Sequence, residues 1–349
     1  TYIFPPEPSV RLTTDLIAYT VENIPKWNPT NICSYHLQEA GATPTQELAY
    51  ALSTAIAILD AVKASGQIPE ERFGAVVGRI SFFVNAGIRF VEETCKLRAF
   101  VDMWDELVKD RYGVDDERQR RFRYGVQVNS LGLTESQPEN NVQRIVLEML
   151  AVTLSKNARA RAIQLPAWNE ALGLPRPWDQ QWALRMQQVL ALETDLLEYG
   201  DLLDGSPVVE AKVQELAEGA RLEMQRVADQ GGMVQAIESG YVKRELVQSH
   251  TQRMRDIESG DLKIVGVNCF EATAESPLTA GGDSGIMKVD SEAESNQIAA
   301  LQAFRGGRDQ DQVTSALGEL REAAVGGSNI MPASIRCAHA GVTTGEWSE

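Results

Sequence analysis

Between residues 30 and 165 a short apolar run is followed, again and again, by a longer stretch whose apolar residues recur every three or four positions. The short runs are Thr30–Cys33, Arg79–Asn85, Phe122–Asn129 and Ala160–Leu165. Each is too brief for a helix and is bounded by turn-forming residues, which predicts strands. The longer stretches predict helices over Thr45–Ser65, Arg89–Tyr112 and Val142–Ser155, with a further helical segment holding Trp168, Asn169 and Glu170. In the first of these, Leu48, Leu52, Ile56, Leu59 and Val62 form one apolar stripe, and Gly66 closes it. Strands alternating with helices of this length imply a parallel sheet with right-handed crossovers. Four such β-α units make either half of a (β/α)8 barrel or a small doubly wound sheet, and the pattern alone does not choose.

Outside this region the pattern changes. Thr1–Ser9, with Pro5, Pro6 and Pro8, reads as extended, and Arg11–Asn23 as a helix. After Leu174 helical patterns dominate, at Trp178–Tyr199, Ser206–Gln230, Met233–Gly240 and Lys243–Gly260. Lys263–Asn268 reads as a strand-like return, and Ala272–Asn296 as a long surface loop rich in Gly, Ser, Thr and acidic residues. Helices over Gln297–Phe304, Gln310–Ala323 and Asn329–His339 follow, and Thr343–Glu346 looks like the start of another. Both ends have the look of a segment cut from a longer chain.

Composition narrows the function. The 349 residues are 43% hydrophobic and 23% charged, the balance of a globular protein with a real core. A net charge of −16 argues against a nucleic-acid backbone or an anionic membrane surface as partner. No apolar run reads as long enough to cross a bilayer. The four cysteines (Cys33, Cys95, Cys269, Cys337) have no metal-type spacing and read as reduced thiols, which implies a cytoplasmic protein. With only His36, His250 and His339 in the chain, no metal site is expected.

Candidate chemistry gathers at strand ends. Tyr35, His36 and Glu39 follow the first strand, where ligands bind in parallel α/β folds. Arg79, Ser81 and Asn85 lie on the second strand, Gln127 and Asn129 on the third, and Gln164 and Glu170 after the fourth. Parallel, adjacent strands would bring these to one rim. Plainer readings stand beside each: packing for Tyr35 and His36, a surface ion pair for Arg79, and helix-dipole complementation for Glu39 and Glu170. Gln127 alternates with large residues, so it points into an interior that must offer a polar partner. There is no phosphate loop, nucleophile elbow or Ser-His-Asp arrangement. One histidine without a nucleophile suits binding and polarisation better than covalent catalysis.

Several stretches carry a resemblance. The run from Thr1 to Leu12, then Ser34-Tyr35-His36 through Glu39-Ala40-Gly41-Ala42, Arg79-Ile80-Ser81-Phe82-Phe83 and Gln137-Pro138-Glu139-Asn140-Asn141 closely resemble the substrate-binding part of adenosylcobalamin-dependent acyl-CoA mutases. Gly231–Glu238 and Val265–Asn268 continue the match. Leu165–Trp182 is similar to the ethylmalonyl-CoA mutase branch. Gly125 stands where methylmalonyl-CoA mutases carry a histidine, and Ala162-Ile163-Gln164-Leu165-Pro166 replaces their Ser-Leu-His-Thr-Asn.

The resemblance implies an α/β fold: the second half, strands five to eight, of a TIM (β/α)8 barrel in residues 1–175. A mostly helical linker extension over residues 176–349 would lead to a cobalamin-binding domain absent from this chain. It implies a radical rearrangement of an acyl-CoA substrate, ethylmalonyl-CoA to methylsuccinyl-CoA, or else methylmalonyl-CoA. Adenosylcobalamin is the implied cofactor, and its cobalt ligand is not in this chain. His36 matches the residue that hydrogen-bonds the thioester carbonyl, and Tyr35 one packed beside the reacting carbons. Arg79 and Ser81 match CoA contacts, and Gln127 a polar rim residue. Glu39, Ser130, Glu170 and Gly173 match the cofactor side. The resemblance further implies a homodimer, and a segment without turnover until joined to the missing half-barrel and cobalamin domain.

Overall fold

The computed structural model describes residues 4–349 apart from 273, 275, 277 and 280–285. Thr1, Tyr2 and Ile3 of the first motif, and much of the expected loop after Ala272, therefore lie outside the described residues. In chain order the elements are α1 (Pro6–Asn23), β1 (Thr30–Cys33), α2 (Tyr35–Glu39), α3 (Pro44–Ser65), α4 (Phe73–Val77), β2 (Ile80–Ala86), α5 (Phe90–Tyr112) and α6 (Glu117–Arg120). There follow β3 (Tyr124–Val128), α7 (Asn140–Thr153), β4 (Ala162–Gln164), α8 (Pro177–Leu192), α9 (Pro207–Asp229), α10 (Met233–Glu238) and α11 (Tyr241–Ser259). The last are α12 (Ala293–Gly307), α13 (Gln310–Gly326), α14 (Met331–Ala340) and α15 (Thr344–Ser348). The chain forms two compact units that interleave in sequence: residues 31–57 with 80–287, and residues up to 30 with 58–79 and 288 onward.

The first unit carries the sheet, in the order β1-β2-β3-β4. β2 and β3 pair in parallel, as do β3 and β4. The alternation along each strand gives the sheet two unlike faces. Phe82, Val84, Tyr124, Val126 and Val128 face the helices and are buried. There Phe82 meets Trp104 edge-on at 5.0 Å, and Phe100 stacks on Phe122 at 5.2 Å. Each such pair contributes about 0.5–1.5 kcal/mol beyond the area it buries. The opposite face carries Ser81, Phe83 and Asn85 on β2, Gly125 and Gln127 on β3, and Ala162 and Gln164 on β4.

A buried ionic cluster fixes the carboxyl ends of β1 and β2. Lys96, on α5, is fully buried and lies 2.5 Å from both Glu47 and Glu93. Its ammonium also donates to the Asn85 carbonyl at 2.7 Å. Glu47 in turn accepts from the Asn85 amide and the Ser34 hydroxyl, each at 2.8 Å. Gln38 bridges to Glu93 at 3.0 Å. Two carboxylates sharing one cation hold the Lys96 ammonium charged, while burial pushes the Glu47 carboxyl up.

The second unit is helical. Asp15 accepts from Gln67 and from the Ile330 amide. Ala316, Leu320, Ile330, Ala333 and Cys337 form its core with Leu12 and Trp347 packed against them. Thr343 and Glu346 form a capping box at the start of α15, at the position where the sequence predicts a helix start.

Several expectations are corrected. The N-terminal prolines do not keep the chain extended: α1 begins at Pro6, because a proline in the first turn needs no amide hydrogen. Lys263–Asn268 is not a strand but a turn closed by one isolated bridge between Val265 and Cys269, with Gly266 at φ 84°. Trp168–Glu170 lies in turns, and no helix forms before Pro177, since Gly173, Pro175 and Pro177 interrupt the backbone. The helix expected at Gln297 begins earlier, at Ala293. The 22-residue α3 is, by length and composition, apolar enough to cross a bilayer, contrary to the sequence reading. Its Leu48, Leu52 and Leu59 are nevertheless fully buried, as in the core helix of a globular protein.

Replacing Lys96 should expose the cost of the cluster. Lys96→Met leaves two buried carboxylates without their cation and is expected to destabilise by about 3–5 kcal/mol. The measurement is the denaturant midpoint, with Glu47→Gln and Glu93→Gln added to Lys96→Met recovering most of the loss.

Candidate functional site

The register of the sheet builds a row of carboxamides. Asn85 pairs with Gln127, and Gln127 with Gln164, so the three side chains stand side by side on one face. The row runs from buried to open: Asn85 is fully buried, Gln127 is 7% exposed and Gln164 is exposed. Among the described residues neither polar atom of the Asn85 side chain has a hydrogen-bond partner. Buried amides are nearly always satisfied, so the unpartnered Asn85 amide stands out in this row.

The corner after β1 overhangs the same face. The Ser34 amide bonds to the Phe83 carbonyl at 2.9 Å, and the chain then turns into the short helix α2. The Tyr35 ring packs edge-on against Phe83 at 5.4 Å and against His36 at 5.0 Å. His36 is exposed to solvent. Partial burial lowers its imidazole pKa, and the Glu39 carboxylate one helical turn away opposes that shift. Gly41 makes the corner possible. At φ +103° a side chain is strained, and a Cβ there would lie 2.5 Å from the Cβ of His250 on α11.

A second cluster sits at the carboxyl ends of β3 and β4. The Ser130 hydroxyl donates to Glu39 at 3.3 Å and also hydrogen-bonds Glu170. Burial raises the Glu170 carboxyl and the nearby Glu39 adds to it, while the Ser130 hydrogen bond works the other way. Two carboxyls and a hydroxyl form an acceptor-rich set, suited to a ligand edge that offers hydroxyl or amide hydrogens. Gly173, at φ +147°, packs under Ile286, where a Cβ would lie 3.1 Å from two of its side-chain carbons.

Of the residues singled out from sequence, the structure joins Tyr35 to His36, and Glu39 to Ser130 and Glu170. Gln127 stands in the carboxamide row. Ser81 is also on that face but at the amino end of β2, remote along the strand from the rim. Arg79 precedes β2, its amide closing a turn on the Val76 carbonyl, and belongs to the other compact unit.

Sequence reasoning missed Glu148. It is fully buried on α7, neither carboxyl oxygen has a partner among the described residues, and burial pushes its carboxyl up to about 9. It lines a cavity of about 390 Å³ together with Gln38, Asn129 and Arg253. It also missed Glu47 and Lys96. The signal was present, since Glu93, Lys96 and Phe100 share one helical stripe, as do Ile145, Glu148 and Met149. A charge on an apolar stripe marks a buried charge.

Comparison with known proteins gives a consistent result. A family model described as methylmalonyl-CoA mutase matches residues 1–349. The chain is 64% identical over 348 residues to an ethylmalonyl-CoA mutase of Cereibacter sphaeroides, covering all of this chain and 53% of that protein. It is 60% identical over 349 residues to one of Methylorubrum extorquens, covering all of this chain and 51% of the relative. Similarity to the methylmalonyl-CoA mutase of Escherichia coli is lower, 33% over 350 residues, covering all of this chain and 47% of the relative. The chain thus spans about half the length of the curated relatives it matches.

The interplay of His36 and Glu39 is testable. The His36 imidazole should titrate below the ordinary histidine value, and Glu39→Gln should lower it further by removing the charge that favours protonation. A proton NMR titration reads both shifts; an upward move in Glu39→Gln would contradict the arrangement. A histidine depressed in the folded chain adds stability above its unfolded value, and that stability is lost as pH falls through the folded value.

Proposed function

The chain belongs to the methylmalonyl-CoA mutase family, and on that premise we propose that it is part of an ethylmalonyl-CoA mutase, which isomerises ethylmalonyl-CoA to methylsuccinyl-CoA. The observation that carries the choice of substrate is the gap between 60–64% identity to ethylmalonyl-CoA mutases and 33% to a methylmalonyl-CoA mutase. Gly125 and the run from Ala162 to Pro166, where histidines of methylmalonyl enzymes are absent, favour the same branch. In this reading residues 1–175 are strands five to eight of the (β/α)8 barrel and residues 176–349 are the linker. The carboxamide face of the sheet is the wall of the acyl-CoA channel, and the enzyme works as a cytoplasmic homodimer.

The residues fit adenosylcobalamin on the side where the family holds it. The acceptor set of Glu39, Ser130 and Glu170 suits the hydroxyl and amide hydrogens at the edge of such a cofactor, and the Gly173 turn follows Glu170 in the chain. When bound, the cofactor supplies a homolytically breakable cobalt–carbon bond, and so a hydrogen-abstracting radical. This chain's own residues bind and orient. His36, whose pKa partial burial lowers, donates one N–H to the thioester carbonyl and steadies the charge that gathers there as the acyl group moves. Tyr35, wedged against Phe83, walls the space beside the reacting carbons and excludes water. Gln127 and Asn85 offer neutral hydrogen bonds to the substrate's polar groups. Arg79 and Ser81 hold the CoA end.

Two assays test the proposal. The full-length protein containing this chain, assayed with adenosylcobalamin, should prefer ethylmalonyl-CoA to methylmalonyl-CoA, and the opposite preference would move it to the other branch. The 349-residue chain alone should give no turnover. In the full-length protein His36→Ala should lower turnover by about 10²–10⁴-fold, and near-normal turnover would remove His36 from the carbonyl.

A further inference from the structure

The amino ends of β3 and β4 carry a feature with no part in the reaction. A cavity of about 560 Å³ opens there, between the sheet and the helices α5 and α9. That volume is in the range of small-molecule sites. Its walls are rich in arginine, in a chain whose net charge is −16. Some of that charge is neutralised locally: Arg120 pairs with Asp105 at 2.8 Å, and Arg221 with Glu106 at 2.6 Å. Arg121, Arg159 and Arg161 are different. Among the described residues none of the three has an ion-pair partner, and all are exposed. The cavity's remaining acids, Asp102 and Glu117, are not close enough to any of these three to form an ion pair. Guanidinium groups that line one cavity without counter-charge favour an anion among them.

The backbone is set to present this charge. Arg159 holds φ +56°, a left-handed conformation uncommon for any residue but glycine, asparagine or aspartate. The neighbouring structure fixes it there. The Tyr124 hydroxyl donates to the Ala158 carbonyl at 2.7 Å, and the Arg159 amide closes the turn on Lys156. Two residues later Arg161 enters the sheet, its amide bonded to the Tyr124 carbonyl. Strained non-glycine residues of this kind concentrate where a site demands a particular direction of the side chain.

We infer that this cavity binds a phosphoryl anion of the pyrophosphate class, held by Arg121, Arg159 and Arg161, at a site separate from the acyl-CoA rim. Guanidinium groups pair with such oxyanions through paired, charge-assisted hydrogen bonds, and three of them match the charge of a diphosphate. The cavity lies toward the helix layer and at the opposite strand ends from His36, so its occupant would not compete with the thioester. A ligand bearing a pyrophosphate group, such as a nucleoside diphosphate, is the chemical class it would take.

Isothermal titration of the full-length protein with sodium pyrophosphate tests this. The expected result is one site per chain, weakening as salt is raised, and binding that persists when coenzyme A is saturating. Arg159→Asn removes the guanidinium while keeping a residue that tolerates positive φ, and Arg161→Met removes the second. Each should weaken pyrophosphate at least tenfold, with circular dichroism unchanged. No binding, or unchanged affinity in both variants, overturns the site. Displacement of pyrophosphate by coenzyme A also overturns it, because the anion would then be the substrate's own nucleotide end.

Discussion

The ion cluster around Lys96 is the constraint on which the rest depends. One ammonium without solvent contact lies between two carboxylates, and both backbone polar groups of Asn85 are taken up by members of that cluster. Charged side chains thus reach into the last turns of the sheet and hold them from behind. The same carboxylate that binds Lys96 also grips Ser34, the residue from which Tyr35 and His36 depart. The direction of the corner after β1 is therefore set by a buried salt bridge. Such a cluster contributes little net stability, since desolvation offsets most of the attraction. Its contribution is register: only one placement of α3, α5 and the ends of β1 and β2 satisfies every member.

From that placement comes a molecule polarised along its strands. The carboxyl ends gather Glu39, Glu170, Glu93 and Glu148, with a hydroxyl and amides among them. The amino ends of β3 and β4 gather guanidinium groups instead. Charge is thus segregated by strand end, acidic at one and basic at the other. The two faces of the sheet add a second division. The helix face is aromatic and closed, whereas the opposite face carries carboxamides and a glycine.

Much of this was legible in the sequence, and the reasons for the rest are physical. The four strands and the helices between them announce themselves through period, because burying one face of each element needs that spacing. Tyr35, His36, Glu39 and Gln127 could be singled out as candidates because a strand's carboxyl end in a parallel fold is a predictable place for a site. What stayed hidden depends on distance in the chain. Lys96 meets Glu47 across 49 residues, and no local pattern states such a pairing. The start of α1 was misread because proline acts differently in a first turn than further inside a helix. The turn at Lys263–Asn268 was misread because a short apolar run without partners looks like a strand. Trp168 is set by tertiary contacts too: its indole donates to Asp179 at 2.8 Å, and Asn141 bonds its carbonyl from α7.

The carboxamide row has one more consequence. Asn85, Gln127 and Gln164 can each give and accept hydrogen bonds, but none can gain or lose a proton under any condition a protein survives. A wall made of them keeps the same polarity from acid to alkali. It also has no acidic hydrogen to surrender and no charge to discharge, which makes it chemically quiet toward reactive neighbours. The acids and the imidazole at the rim respond to pH; the surface below them does not. Sensitivity to pH therefore lies in the titratable groups around the row and not in the row itself.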